Sequence, residues 1–291
     1  MTDLKPKDKV PGIEKGFCCG AHVGLEKTLL ETLQKNTSGS IEETQGFCEC
    51  IQCFIGPPLQ FVTRKFNGDD LHNSGEYMRK YNKKLFVHAP YVINLARESD
   101  APIVEKGSVC LSNILTTLSR VDTERTGTVL HIGAVGTLNN VIKHINDIEI
   151  KSPLYLENCA GEGTKLGKNI EELRKLKEGI DSHRVGFCLD TCHCHASAMC
   201  DMKNSESVVK MFDDLDVKNT IIHLNDSLEE YGKKKDRHAI LGHGTIWDVN
   251  KPQTFESLAT LRSLAYDNNY DIILETPSPY YKDFELKLLR G

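Results

Sequence analysis

The fold is most constrained by a regular alternation of short apolar runs with amphipathic segments. Eight runs are rich in Val, Ile, Leu, Phe and Cys, at residues 17–23, 47–55, 84–89, 128–132, 154–158, 185–190, 220–225 and 271–275. Seven segments between them have apolar residues at helical spacing, at 25–34, 75–81, 106–120, 137–146, 169–179, 205–215 and 254–267. Strands alternating with helices indicate an α/β fold with a parallel sheet, and eight such units predict a closed (β/α)8 TIM barrel.

The composition is compatible with one large domain. The chain has 291 residues, of which 39% are hydrophobic and 26% charged, which are ordinary values for a protein with a sizeable core and exclude disordered and low-complexity classes. No repeat, Gly/Ser linker or abrupt change of composition divides the chain. We therefore expect a flexible tail over residues 1–15, a single barrel domain over residues 16–291, and a monomer.

Charge and cysteine usage restrict the environment. No apolar stretch reaches the length of a membrane span, and the first residues interleave lysines with acids, so we expect neither a membrane segment nor a signal peptide. Eleven cysteines, of which several such as Cys53, Cys159 and Cys188 lie in apolar runs, favour buried thiols in a reducing intracellular compartment, either cytoplasm or nucleus. A net charge of −5 argues against a broadly basic surface but leaves nucleic acid open.

Side chains that can bind metal ions collect after the predicted strands, at the face that carries the active site in TIM barrels. There are nine of them: His88, His131, Glu157, Asp190, His193, His223, Asp236, His238 and Glu275. One histidine in an apolar strand is usually a core residue, but packing alone does not explain this repetition. Carboxylates that collect at the mouth of a barrel without partners need positive charge to balance them. Nitrogen and oxygen donors suit Zn²⁺ or, with more oxygen, Mn²⁺ or Mg²⁺, and nine ligands predict two or three ions.

Several strings resemble the endonuclease IV family of apurinic/apyrimidinic (AP) endonucleases. They are GAHVG, FVHAPYVINLA, LENCAGEGTKLG, GFCLDTCHCHA, HLNDS, KDRHAILGHGTI and ILETP, in matching order from about residue 16 to 277. The resemblance implies three Zn²⁺ ions per chain, with Mn²⁺ as an option at one site. By motif match, His88, His131 and Glu157 hold the first ion; Glu157 bridges to a second held by Asp190, His223 and Glu275; His193, Asp236 and His238 hold the third.

The resemblance also implies the reaction. The expected substrate is double-stranded DNA that contains an abasic site, and the expected chemistry is hydrolysis of the phosphodiester 5′ to that site in base excision repair. The products would be a 3′-hydroxyl and a 5′-deoxyribose phosphate, with trimming of blocked 3′ ends as a companion activity. Glu275 would orient or deprotonate the attacking water, and Glu157 would chiefly link the metals. A nucleotide cofactor is not expected, because the glycines at 161–167 lack the spacing of a phosphate loop.

DNA contacts follow from the same motif match. Tyr91 and Val92 match the family's inserting Tyr-Leu pair, and Arg237, between two metal ligands, matches a residue that contacts phosphate. The sequence departs from the family at Leu59, where an Arg commonly enters the DNA gap; leucine can wedge but cannot donate hydrogen bonds. Gln52 is a further candidate on the substrate side.

Two other functions compete with this interpretation. Sugar isomerases share related barrels but hold two metals mainly with carboxylates, whereas five of the nine predicted ligands here are histidines. A damaged-DNA binding module without turnover would be expected to lack a bridging or third-site ligand, and every family ligand has a counterpart in this chain. Both comparisons favour a nuclease.

Overall fold

The structure, a computed structural model, describes residues 17–37, 48–216 and 218–290 and is built around a parallel barrel. The strands are β1 (Cys19–His22), β2 (Cys50–Cys53), β3 (Lys84–His88), β4 (Thr126–His131), β5 (Leu154–Glu157), β6 (Val185–Asp190), β7 (Thr220–His223), β8 (Asp226–Ser227), β9 (His238–Ala239) and β10 (Asp271–Leu274). The barrel closes in the order β1, β10, β7, β6, β5, β4, β3, β2, and β8 pairs with β9 in a separate antiparallel ribbon. The prediction of a (β/α)8 TIM barrel is confirmed.

Helices follow the barrel strands as crossover connections. They are α1 (Leu29–Asn36), α2 (Gly68–Tyr81), α3 (Pro102–Ser119), α4 (Leu138–Asn146), α5 (Ile170–Gly179), α6 (Thr191–Ala196), α7 (Ser205–Leu215), α8 (Phe255–Asn268) and α9 (Leu286–Arg290). A 3-10 turn (Pro252–Thr254) precedes α8, and a π-helical turn (Tyr281–Glu285) precedes α9. Of the helices in the described ranges, none is both long and apolar enough to cross a bilayer.

Local capping explains where the helices differ from their predicted bounds. α1 begins at Leu29, later than expected, because the Thr28 side chain accepts a hydrogen bond from the third residue after it at 3.0 Å. α2 begins at Gly68, seven residues earlier than the predicted segment, because Asn67 caps it in the same way at 2.7 Å. The short helix α6 and the C-terminal helical segment lie outside the predicted set, since neither has a long apolar periodicity.

The barrel interior is a packed core that supports the residues above it. Its centre is filled by Cys50, Phe86, Val129, Cys188, Ile221 and Ile273. At the amino-terminal end of the strands, Lys84 Nζ lies 2.7 Å from the carboxylate of Asp271. A larger apolar core lies between the strands and the surrounding helices. Because the interior is filled, side chains at the carboxyl ends of the strands can project only toward the mouth.

Some expectations fall on residues that are not described. The tail over 1–15 lies outside the described residues, as does Phe47 at the start of the second apolar run. The division into a tail and one domain over 16–291 therefore stays a prediction, as does the monomer. Cys53 and Cys188 within the apolar runs, and Cys159 directly after one, are buried free thiols.

Candidate metal centre

The nine predicted metal ligands meet at the carboxyl mouth of the barrel. Five of them are the last residues of successive strands β3 to β7, namely His88, His131, Glu157, Asp190 and His223, and Glu275 directly follows β10. His193 lies in α6, where its backbone N–H donates to the Asp190 carboxylate at 2.8 Å and so begins the helix beside the strand end. Asp236 lies in the loop that leads into β9, and His238 is the first residue of β9.

The first group of potential ligands surrounds one oxygen of Glu157. His88 Nε2 lies 3.3 Å and His131 Nε2 lies 3.5 Å from Glu157 Oε2. The other ring nitrogen of His88, Nδ1, is 2.8 Å from the Ala89 carbonyl and donates to it, which directs Nε2 toward Glu157. Burial lowers the pKa of His131 to about 4, so this ring is neutral at neutral pH. Two imidazole nitrogens thus lie close to one carboxylate oxygen, an arrangement that a cation stabilises.

The second group shares Glu157 with the first. It comprises Glu157, Asp190, His223 and Glu275. His223 Nδ1 lies 3.2 Å from Glu157 Oε1 and 3.4 Å from Glu275 Oε1. Burial on its own would raise the pKa of Glu275, but the neighbouring His223 and His238 outweigh that effect and lower the pKa to about 2. Glu275 is therefore an anion at neutral pH.

The third group comprises His193, Asp236 and His238. Asp236 separates two rings, with His193 Nε2 at 3.1 Å from Oδ2 and His238 Nε2 at 3.1 Å from Oδ1. His193 Nδ1 donates to the Asn158 carbonyl at 3.0 Å, which orients the ring. Burial opposes protonation, but Asp190 and Asp236 outweigh it and raise the pKa of His193 to about 10 and that of His238 to about 9. In the absence of a metal, protons therefore balance these carboxylates.

The residues present fit divalent cations. In each group the potential ligand atoms lie within 4.8 Å of one another, and the groups contain the same residues as the three predicted ligand sets. Glu157 Oε2, His193 Nε2 and His238 Nε2 are buried and have no well-aligned hydrogen bond within the described residues. Burying such atoms without partners is costly, and coordination of a cation removes that cost. A metal-binding centre is consistent with these clusters, whereas the identity and number of ions stay predictions.

Two predicted DNA-contacting residues lie on adjoining loops at the rim of this centre. Leu59 follows β2 and is 71% exposed, and Tyr91 follows β3 and is 51% exposed. The two loops are tied together because the Tyr91 backbone N–H donates to the Pro58 carbonyl at 2.9 Å. The Tyr91 ring packs edge-on to His88 with 5.1 Å between ring centroids and lines a cavity of about 300 Å³ above the metal groups. Both side chains are thus available to a ligand at the mouth.

The other two predicted contacts differ in exposure. Val92 is half-buried beside Tyr91, so less of its surface is available than that of Leu59. Arg237 is 61% exposed, and its guanidinium lies 3.9 Å from Glu162 Oε1. The same oxygen accepts the Asp236 backbone N–H at 3.1 Å, so Glu162 holds the loop that carries Arg237.

Three amide side chains support the ligands, and two of them were not predicted from the sequence. Asn225 donates to Asp190 Oδ2 at 2.6 Å and to Glu275 Oε2 at 3.1 Å. Asn158 Oδ1 accepts the Asp190 backbone N–H at 2.7 Å. Asn158 directly follows Glu157 in the string ENC, and Asn225 lies two residues after His223 in the string HLND. This proximity to a strand-end ligand is a signal in the sequence that could have identified both. Gln52, expected on the substrate side, is instead fully buried under the ligands.

One imidazole that lies close to the predicted ligands in sequence is directed away from them. His195, two residues after a predicted ligand, is fully buried and its Nδ1 lies 3.7 Å from Asp201 Oδ1. Its ring packs against Tyr231 with 5.4 Å between centroids. Helical geometry explains this, because residues two apart on a helix do not share a face. His195 therefore belongs to the packing behind α6.

A parallel barrel with imidazole and carboxylate groups at its carboxyl mouth defines the class of metal-dependent TIM-barrel enzymes. Residues 44–289 match the family model described as xylose isomerase-like TIM barrel. A relative named "Probable endonuclease 4" from Malacoplasma penetrans is 31% identical over 286 residues, covering 90% of this chain and 93% of the relative. The chain belongs to this barrel family and, within it, to the endonuclease IV family of AP endonucleases, and it is a nuclease.

Solved structures agree with this assignment at the level of the fold. Endonuclease IV from Thermus thermophilus superposes with a TM-score of 0.75 at 24% identity, covering 94% of this chain and 97% of that one. A D-tagatose 3-epimerase-like protein superposes with a TM-score of 0.62 at 18% identity, with the same coverage of 94% and 97%. Because the barrel is common to nucleases and sugar epimerases, the site residues must decide the chemistry.

Proposed function

We propose that this chain is a zinc-dependent DNA-repair enzyme that hydrolyses the phosphodiester 5′ to an abasic site. The products are a 3′-hydroxyl and a 5′-deoxyribose phosphate. The observation that carries the proposal is the sharing of Glu157: its Oε2 faces His88 and its Oε1 faces His223, at 3.3 and 3.2 Å. One carboxylate between two ligand groups is the arrangement that holds two metal ions close enough to act on one phosphate.

Three zinc ions suit the donors. Each group combines imidazole nitrogens with carboxylate oxygens, which is the ligand chemistry of Zn²⁺, and the more oxygen-rich group around Asp190 and Glu275 could accept Mn²⁺. The ions would polarise the phosphodiester and lower the pKa of the attacking water. His193 and His238, which hold protons in the metal-free chain, would release them when they coordinate.

Glu275 is the residue best placed to assist the nucleophile. It lines the cavity above the metal groups and is ionised at neutral pH. Asn225 donates to Oε2 at 3.1 Å and fixes the carboxylate plane. A fixed carboxylate at the cavity wall can orient a water molecule and accept its proton. Glu157, which is almost fully buried, instead positions the metals.

The rim residues supply lesion recognition. A missing base leaves a gap in the duplex, and an exposed apolar side chain can fill it at a lower unstacking cost than in intact DNA. Leu59 and Tyr91 provide such surface on linked loops, and the half-buried Val92 directly follows Tyr91. Arg237 and the exposed lysines at 233–235 can contact the phosphate backbone of double-stranded DNA. Trimming of blocked 3′ ends requires the same bond cleavage and would use the same cavity.

End-group analysis of the products tests the proposal. A 5′-labelled duplex with one abasic analogue is treated with zinc-loaded enzyme, with Glu275→Gln as the matched control for turnover. We expect a labelled product that a DNA polymerase extends directly, because it ends in a 3′-hydroxyl. A product that ends in a 3′-phosphate or an unsaturated sugar would contradict hydrolysis on the 5′ side.

A further inference from the structure

Gln52 is a buried amide below the metal groups. It lies on β2 next to His22 of β1 in the strand register, and it is fully buried. Side chains alternate along the strand, so Gln52 shares the barrel interior with Cys50, while Ile51 and Cys53 pack in the outer core. A buried amide is costly unless its donors and acceptor find partners, and two of the three partners of Gln52 are the predicted ligands His223 and Glu275.

The identity of those partners determines the direction of each hydrogen bond. Gln52 Nε2 lies 3.2 Å from Glu275 Oε1 and 3.0 Å from His22 Nδ1. An ionised carboxylate only accepts, so the atom that faces Glu275 must be the NH₂ group. The carbonyl oxygen of Gln52 then faces His223 Nε2 at 2.9 Å. Because a carbonyl only accepts, His223 must have its hydrogen on Nε2.

This hydrogen placement directs the other ring nitrogen of His223 to the second metal group. With Nε2 bound to the Gln52 carbonyl, Nδ1 lies 3.2 Å from Glu157 Oε1 and 3.4 Å from Glu275 Oε1, and a metal ion there would displace any proton on Nδ1. The opposite tautomer would present N–H to the metal position and could not coordinate. Gln52 also donates to Glu275, another member of that group.

We propose that Gln52 is a positioning residue of the metal centre, which holds His223 through its Nε2–H and orients Glu275 for one metal ion. The catalytic part of this inference, an effect of Gln52 on turnover, rests on the proposed function. The structural part, that Gln52 supports metal binding, can be tested without DNA.

Two substitutions separate the contacts. Gln52→Met keeps the length of the side chain and removes both the acceptor and the donors. Gln52→Glu keeps an acceptor for His223 Nε2–H and removes the donor to Glu275. Gln60→Met makes the same chemical change at an exposed loop position and serves as the control.

The readouts are zinc affinity, measured by chelator competition, and exchange of the His223 Nε2–H with water, measured by ¹H–¹⁵N NMR of the full-length zinc-loaded protein. We expect Gln52→Met to weaken binding of one zinc ion by about 10–100-fold while the others bind as in wild type. Its His223 Nε2–H should exchange faster than in wild type, because it has lost its acceptor. Gln52→Glu should restore slow exchange, and Gln60→Met should change neither readout.

Turnover provides a further readout that a purely structural role would not move. For Gln52→Glu we expect a lower kcat on abasic duplex with nearly unchanged KM, since Glu275 loses its donor but the DNA rim is intact. Wild-type zinc affinity and unchanged exchange of the His223 Nε2–H in Gln52→Met would overturn the proposal. If Gln52→Met does not fold, fast exchange of the His223 Nε2–H in Gln52→Glu would overturn it. A protein that cleaves no abasic DNA but shows the expected NMR and zinc results would refute only the proposed function.

Discussion

Leu59 provides a sharp test of lesion recognition, because the endonuclease IV resemblance leads one to expect arginine there. The perturbation is Leu59→Ala, which removes an apolar side chain that is 71% exposed in the free protein. Burying a whole leucine side chain stabilises by about 1.5–3 kcal/mol. Seven tenths of that is about 1–2 kcal/mol, so we expect abasic-duplex affinity to fall by about 5- to 30-fold.

The assay is fluorescence anisotropy with two duplexes that differ only at the abasic position, across a salt series. Leu59→Ala should lower affinity for the abasic duplex more than for the intact duplex, since only a gap accepts the side chain. Lys234→Ala should lower both about equally and reduce the salt dependence, because it removes a phosphate contact. Val109→Ala, at a 57% exposed position on the outer helix α3, should change neither. Equal losses on both duplexes for Leu59→Ala would refute a role in reading the lesion.

Further expectations concern the metal centre. Elemental analysis of protein purified without added metal should give close to three ions per chain, mostly zinc, and one ion or fewer with full activity would contradict this. Glu275→Gln should keep the fold and much of the DNA affinity while kcat falls by at least about 100-fold, and a wild-type rate would remove its assigned role. The pKa values of His193 and His238 are raised from 6.5 to about 10 and about 9. In the metal-free protein, the stability that these two protonated rings contribute is therefore complete below about pH 6.5 and is lost by about pH 10. Thermal melts should show the metal-free protein losing stability across this range more steeply than the zinc-loaded protein, and parallel curves would contradict this.

The barrel was predictable from sequence because each of its strands is a short, nearly continuous apolar run. Such runs are what a sheet buried on both faces requires, and their carboxyl ends were marked by His, Glu and Asp. The helix starts were less predictable, because a single side chain such as Thr28 or Asn67 decides where the first turn forms. The ribbon of β8 and β9 has only two residues in each strand and leaves no periodicity to detect.

The set of potential ligands could be collected from the sequence, but the supporting contacts of Gln52 could not. Gln52 sits in an apolar strand, and nothing local indicates that its partners are His22, His223 and Glu275, which lie up to 223 residues away. The direction of His195 depended on α6, a helix that was not predicted. Contacts of this kind depend on the closure of the barrel and are fixed only in three dimensions.

The most direct test of the account is incision of a duplex with one abasic analogue by three forms of the same preparation. These are the zinc-loaded enzyme, the enzyme after chelation with removal of zinc verified by elemental analysis, and the chelated enzyme after zinc is restored. We predict incision immediately 5′ to the abasic position, loss of that incision on chelation, recovery with zinc, and no comparable cleavage of the intact duplex. Full incision by zinc-free enzyme, or equal cleavage of both duplexes, would contradict the account.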